Sequence, residues 1–279
     1  MGHPVIPDIM LTSGNTIPQL GFGVFQIRPS DTEAAVGVAL EAGYRHIDTA
    51  QMYENEREVG AAIVHAGISR ADVFVTTKLG NDCHEPQDAR KAFDRSLEEL
   101  GFGYVDLFLI HWPLPSRYGG DFLSTWQALE EVYRDGRARS IGVSNFQPDH
   151  LRRLLSECEV PPAVNQIEVN PYLTQDEVRA FCAQHQIAVQ AWSPIARGQV
   201  LGDPVVTEIA ARAGRTPAQV VLRWHVQRGD IVFPKSVTPE RIRENIAIFD
   251  FELPPSDMAA IGALNRNERT GPDPDVFAG

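Results

Sequence analysis

Four polar side chains stand where short apolar runs end. Asp48 follows His46-Ile47, Lys78 closes Phe74–Lys78, His111 closes Leu107–His111, and Tyr53 lies five residues beyond Asp48. An aspartate at the end of a buried strand needs a partner, because an unpaired buried charge costs several kcal/mol. A lysine ammonium could be that partner, and Asp48 would keep Lys78 charged. An ammonium beside a phenol also stabilises the phenolate and lowers the phenol from its usual pKa of about 10. Tyr53 tuned in this way is suited to protonate a carbonyl oxygen as it becomes an alkoxide, with His111 orienting that oxygen or helping to pass the proton. Taken singly, each residue has a plainer reading: a packing tyrosine, a buried ion pair, a core histidine. Their joint placement favours catalysis.

Something must bring these side chains together. Residues Val5 to Leu20 read as a hairpin turning at Ser13-Gly14-Asn15. Eight short strand candidates follow: Gly21–Phe25, His46–Ala50, Phe74–Lys78, Leu107–His111, Ser140–Ser144, Val164–Glu168, Val189–Ser193 and Ile231–Pro234. Amphipathic stretches separate them, with helix start and stop signals. Asp31 to Leu40 closes on Gly43, Pro86 to Leu100 closes on Gly101, and Thr216-Pro217 opens a helix that Gly229 ends. The rhythm predicts an α/β fold, a (β/α)8 TIM barrel with an N-terminal β-hairpin closing its bottom, as a single domain over residues 1–279. Chemistry in such barrels sits at the C-terminal strand ends. There the sequence places Asp48, Lys78, His111, Ser144-Asn145, Gln166, Glu168, Ser193 and Lys235-Ser236. The tail from Arg266 to Gly279 reads as a loop.

Bulk properties narrow the function classes. With 279 residues, 43% hydrophobic and 22% charged, the chain can bury a sizeable core. A net charge of −12 argues against nucleic acid or an anionic membrane as the main partner. The three cysteines, Cys83, Cys158 and Cys182, suggest a reducing compartment. The N-terminus Met-Gly-His-Pro shows no apolar signal core and no apolar run approaches a membrane span, so a cytoplasmic location is expected. No set of His, Cys, Asp or Glu has recognisable metal-ligand spacing, so no metal is expected.

Gly43-Tyr44-Arg45-His46-Ile47-Asp48-Thr49-Ala50 with Tyr53, Glu56 and Gly60 resembles the first signature of the aldo-keto reductases. Arg139-Ser140-Ile141-Gly142-Val143-Ser144-Asn145-Phe146 resembles the second, and Pro234-Lys235-Ser236 the third. Gly21 to Gln26, His111-Trp112-Pro113 and Ala191-Trp192-Ser193-Pro194 are similar to the bacterial branch that holds the 2,5-diketo-D-gluconate reductases and related mycobacterial enzymes. The family's Asp, Tyr, Lys and His tetrad falls on Asp48, Tyr53, Lys78 and His111.

The resemblance implies NADPH/NADP+ lying across the barrel mouth. Ser144, Asn145 and Gln166 would bind its carboxamide, Trp192 would stack on the nicotinamide, and Ser193 would lie beside them. Arg197 and Asp203 would reach the pyrophosphate, and Glu244 with Asn245 the adenine. Lys235, Ser236, Val237, Thr238 and Arg241, at a helix start in an acidic chain, make a natural phosphate site, which the resemblance assigns to the adenosine 2′-phosphate. The run Gly21 to Gln26 imitates a dinucleotide fingerprint, but Gln26 takes the place of its third glycine. Phe22, Phe25, Gln51, Trp112 and Phe277 are expected to line a mouth for a small, moderately apolar carbonyl compound, and the resemblance implies a monomer. Two competing readings are weaker. A non-catalytic NADPH-binding barrel like the potassium-channel β subunits would have no need of a complete tetrad. A Schiff-base aldolase would need Lys78 neutral.

Overall fold

The computed structural model describes residues 4–279; residues 1–3, the start of the N-terminal stretch considered above, lie outside it. A hairpin opens the chain, β1 (Asp8–Met10) pairing antiparallel with β2 (Thr16–Pro18). Eight parallel strands follow: β3 (Phe22–Gly23), β4 (His46–Asp48), β5 (Phe74–Leu79), β6 (Leu107–Ile110), β7 (Ile141–Ser144), β8 (Val164–Glu168), β9 (Ala188–Trp192) and β10 (Ile231–Val232), each bonded to its sequence neighbour. The ring closes where the Gly21 N–H donates to the Val232 carbonyl at 2.8 Å and the Val232 N–H donates to the Gln19 carbonyl at 2.9 Å. All eight expected strands are present, but the first, second and last are clearly shorter than predicted. Pro234 has no N–H to give, so the seam continues there only through its carbonyl, which accepts from Gly23 at 3.2 Å.

The helices α1 (Pro29–Ala42), α2 (Glu56–His65), α3 (Pro86–Leu100), α4 (Leu123–Arg134), α5 (Pro148–Glu157), α6 (Asp176–Gln184), α7 (Pro204–Ala213), α8 (Pro217–Gln227), α9 (Pro239–Ile246) and α10 (Pro255–Gly262) surround the barrel. Helix α1 shows why they form: proline starts its first turn, Ala35, Val36, Ala39 and Leu40 bury one face, and Gly43 ends it at φ +108°. Strands buried on both faces hide their alternation in the sequence, but the structure shows it. His46 and Asp48 point inward, as do Thr76 and Lys78, and His46 Nε2 bonds Thr76 Oγ1 inside the barrel. Thr77 points outward and donates to the buried Glu56 carboxyl at 2.6 Å.

The hairpin is at the bottom. Leu11 and Ile17 pack on Phe74, Leu107, Val164 and Ile231, the first or near-first residues of their strands. Asn15 donates to the Arg139 carbonyl at 2.6 Å, ahead of β7. That leaves the C-terminal strand ends as the open mouth. No helix among the described residues is long and apolar enough to cross a membrane.

Gly60 of α2 lies against the backbone of α3, where a Cβ would sit 2.1 Å from the Leu100 carbonyl oxygen. Backbone cannot yield as a flexible side chain would, so the helices would have to separate. Gly60→Ala should therefore destabilise the fold by about 1–3 kcal/mol, read as a lower urea midpoint. A wild-type midpoint would show that the two helices can part freely.

Candidate active site

Strand β4 ends on Asp48 and the chain turns through a short 3-10 segment, Gln51–Tyr53, that carries Tyr53 back over the mouth. Thr49 donates to Asn55, and Asn55 in turn donates to the Val24 carbonyl, so the turn is tied to the strand next door. From β5, the Lys78 ammonium donates to Asp48 Oδ1 at 2.6 Å, to the Thr49 carbonyl at 2.8 Å and to the Tyr53 hydroxyl at 3.2 Å. All three of its protons are used. Lys78 and Asp48 are both buried.

Burial alone would drive Lys78 toward its neutral form, but the Asp48 carboxylate and the Tyr53 oxygen outweigh it and raise the ammonium above its ordinary value. Burial pushes Asp48 upward against Lys78 and Gln166. For Tyr53 the outcome differs from expectation. Burial raises the phenol by more than Lys78 lowers it, so Tyr53 holds its proton firmly at neutral pH. His111 meets the Tyr53 ring edge-on with centroids 5.8 Å apart. Burial and the Lys78 charge keep its imidazole well below the usual histidine range, and Nδ1 has no partner among the described residues. The four residues thus form one constellation.

Across the barrel, the Gln166 amide donates to Asp48 Oδ2 at 2.7 Å and to Gln190 Oε1 at 2.9 Å. Ser144 donates to the Gln166 carbonyl at 2.9 Å. Asn145, in the left-handed region at φ +65°, donates to the His111 carbonyl and to Ser144 Oγ. Its own oxygen accepts from the Trp192 indole at 2.9 Å. Trp192 is covered by the tail, for a Cβ on Gly271 would lie 2.4 Å from its ring. The Glu168 carboxylate holds that segment by accepting from Thr270 N–H and, at its other oxygen, from Gly271 N–H, and Thr270 Oγ1 comes within 3.4 Å of Ser193 Oγ. Sequence reasoning marked Glu168 only as a polar strand end. Nothing local in the tail signalled its anchors.

Arg197, Lys235 and Arg241 are exposed and have no carboxylate partner among the described residues, whereas Arg179, Arg212 and Arg215 are ion-paired. Ser236 Oγ accepts from the Thr238 N–H at 3.1 Å, just before α9, whose first turn has no side-chain cap. Val237 is exposed beside them and Asn245 is buried on the same helix. Glu244 accepts from Thr216 at 2.7 Å. Asp203, expected at the pyrophosphate, has both oxygens engaged within the chain. One oxygen caps α7 by accepting from the Val205 N–H, and the other accepts from the Tyr172 hydroxyl.

At the mouth, exposed Phe25 leans on Tyr53 with centroids 5.0 Å apart, and Phe277 of the tail packs on Trp112 at 4.3 Å. Two expected lining residues are elsewhere. Phe22 is buried on the helix side of β3 against Tyr44, whose hydroxyl bonds α9. Gln51 is consumed by α3 and the loop after β5: it donates to the Ala92 carbonyl and to Ser96, and accepts from the Gly80 N–H. A crevice of about 450 Å³ lies at the hairpin end, away from this constellation. No group of three or more His, Cys, Asp or Glu among the described residues could hold a metal ion.

Residues 19–266 match the family model described as the aldo/keto reductase family. The chain belongs to the aldo/keto reductase family. It is 51% identical over 271 residues to an aldo-keto reductase of Mycolicibacterium smegmatis, covering 97% of this chain and 98% of the relative. It is 43% identical over 281 residues to the methylglyoxal reductase DkgA of Escherichia coli, covering 100% of both. Among solved structures, a mutant of Gox0644 in complex with NADPH superposes with a TM-score of 0.94 at 41% identity, over 98% of this chain and 99% of that one. As a member of this family the chain is an NADP-dependent oxidoreductase.

Imidazoles buried in this reductase, His46 and His84 besides His111, make its stability depend on pH. Burial lowers His46 to about 3 and, with Arg117, lowers His84 to about 4. Below about pH 6.5 the unfolded chain takes protons on these rings that the native state refuses, so stability falls as the pH drops from about 6.5 toward 4. Each ring contributes about 1.4 kcal/mol per pH unit in that window. His84→Gln should flatten the curve by one such share in urea titrations at pH 6.5 and 5; an unchanged slope would contradict it.

Proposed function

We propose that this aldo-keto reductase uses NADPH to reduce small aldehydes, ketones or dicarbonyl compounds to alcohols, with the proton coming from Tyr53. The observation that carries the reading is the Lys78 ammonium, which touches Asp48 and the Tyr53 hydroxyl at once. The relatives named for methylglyoxal reduction and the NADPH-bound structural neighbour support it.

The residues fit a phosphorylated dinucleotide. Three unpaired cations near the start of α9 and the loop after β9 stand ready for anionic oxygens in a chain of net charge −12. Ser144, Asn145, Gln166 and Trp192 would hold the nicotinamide end, and Lys235, Ser236, Thr238 and Arg241 the 2′-phosphate end, with Arg197 at the pyrophosphate. When bound, NADPH supplies the hydride for the carbonyl carbon. The chain's own work is on the oxygen. Tyr53 is protonated at rest and donates as negative charge builds there. Lys78 then faces the phenolate left behind and stabilises it, with Asp48 fixing the ammonium in place. His111 is neutral, so it can hydrogen-bond the substrate oxygen without adding a second buried cation. Phe25, Trp112 and Phe277 give the mouth an apolar rim suited to a small carbonyl compound.

Tyr53→Phe should lower kcat on methylglyoxal by about 10²- to 10⁴-fold, while NADPH still quenches tryptophan fluorescence. Near-normal turnover would remove Tyr53 as the acid. Replacing Lys235 and Arg241 together by alanine should raise the NADPH dissociation constant by about tenfold or more, with much less effect on NADH. Equal weakening of both cofactors would dismiss the 2′-phosphate site.

A further inference from the structure

Gln190 is a fully buried amide in the barrel interior, directly opposite Gln166 in the β8–β9 register. Its Nε2 has no partner among the described residues. An orphaned buried N–H2 costs about 1–3 kcal/mol, so packing alone would favour an apolar residue of the same size. Its oxygen, by contrast, takes one of the two protons of the Gln166 amide. The other proton goes to Asp48 Oδ2, across the ring on β4, four strands from β8 in an eight-stranded barrel. An ionised carboxylate only accepts, so the nitrogen end of Gln166 must face Asp48. Asp48 thus sets the sense of the Gln166 amide, and Gln190 holds it in place by taking its second proton.

We infer that Gln190 is a positioning residue of this reductase: it fixes the Gln166 amide so that Gln166 braces Asp48 through nitrogen and keeps Oε1 as an acceptor for the carboxamide of NADP+. This rests on the reading of Gln166 as a cofactor contact. It links the two halves of the site, since one amide serves both the cofactor end and the Asp48–Lys78 pair. Gln190 touches neither cofactor nor substrate and acts only through Gln166.

Gln190→Met keeps the volume while removing both the orphaned donor and the acceptor. The expected Tm is unchanged or higher, whereas the dissociation constant for NADP+, read by tryptophan quenching, rises about tenfold. The acid limb of the kcat profile should also move to higher pH, because a Gln166 amide no longer held by Gln190 steadies the Asp48 carboxylate less firmly. In a Gln166→Met background the same replacement should change NADP+ affinity by less than about twofold. Gln190→Glu retains an acceptor oxygen on a carboxyl that burial beside Asp48 keeps protonated, and should bind NADP+ within about threefold of wild type. Wild-type NADP+ affinity in Gln190→Met, additive losses in the double variant, or equal losses in the Glu and Met variants would each overturn the assignment. Binding is read without turnover, so an active Tyr53→Phe enzyme would defeat the catalytic reading and leave this test standing.

Discussion

A lysine ammonium with no access to water is the constraint on which the site depends. Stripped of hydration, Lys78 stays charged only because Asp48, the Thr49 carbonyl and the Tyr53 hydroxyl replace the lost solvent. Removing Asp48 alone would leave an uncompensated buried cation, a penalty of about 3–5 kcal/mol. Strand register follows from this. Asp48 lies opposite Thr76 in the β4–β5 ladder, and Lys78 stands one inward position further along. A slip of one residue would turn Asp48 toward the helices and leave Lys78 facing Ile47 or Thr49. The hairpin that plugs the bottom and the seam at Gly21 and Val232 hold the ring in which this register exists.

With Tyr53 as the proposed acid, such a site would separate resting state from reaction. A phenol held above its ordinary range keeps its proton at neutral pH, as a general acid requires. Lys78 contributes little while the phenol is neutral and most once charge appears on its oxygen. An interaction that strengthens only as charge develops lowers the barrier, whereas one equally strong at rest does not. On that proposal burial and the nearby ammonium would act at different moments. The expectation from sequence, a tyrosine lowered by its lysine, captured the partner but missed the desolvation that outweighs it.

Much of this was legible in the sequence, for local reasons. Strand ends announce themselves when an apolar run stops on a polar side chain, and Asp48, Lys78 and His111 all do so. Helix bounds were readable because prolines and glycines mark them, as at Gly43 and Gly101. Phe22 was misread because parallel strands are apolar on both faces, so an aromatic on β3 carries no mark of which side it takes. Gln51 was misread because its partners, Ala92 and Ser96, lie on α3, about forty residues away. The clamp of Glu168 on Thr270 spans 102 positions and the Trp192–Asn145 bond 47. Pairings of that range leave no local pattern; only folding brings them within reach.

An acidic protein that binds a polyanion looks contradictory until distance is considered. At physiological salt, charges more than about 8 Å apart across solvent are largely screened. The net charge of −12 is a sum over the whole chain, while a phosphate responds to what stands within one Debye length. Most arginines here are tied to carboxylates, for instance Arg57 to Glu99, Arg117 to Asp82 and Arg179 to Asp230. Those pairs present little net field. Arg197, Lys235 and Arg241 remain unpaired beside a helix start whose first amides lack a side-chain cap. A small anion at the start of α9 would therefore meet cations that no carboxylate neutralises.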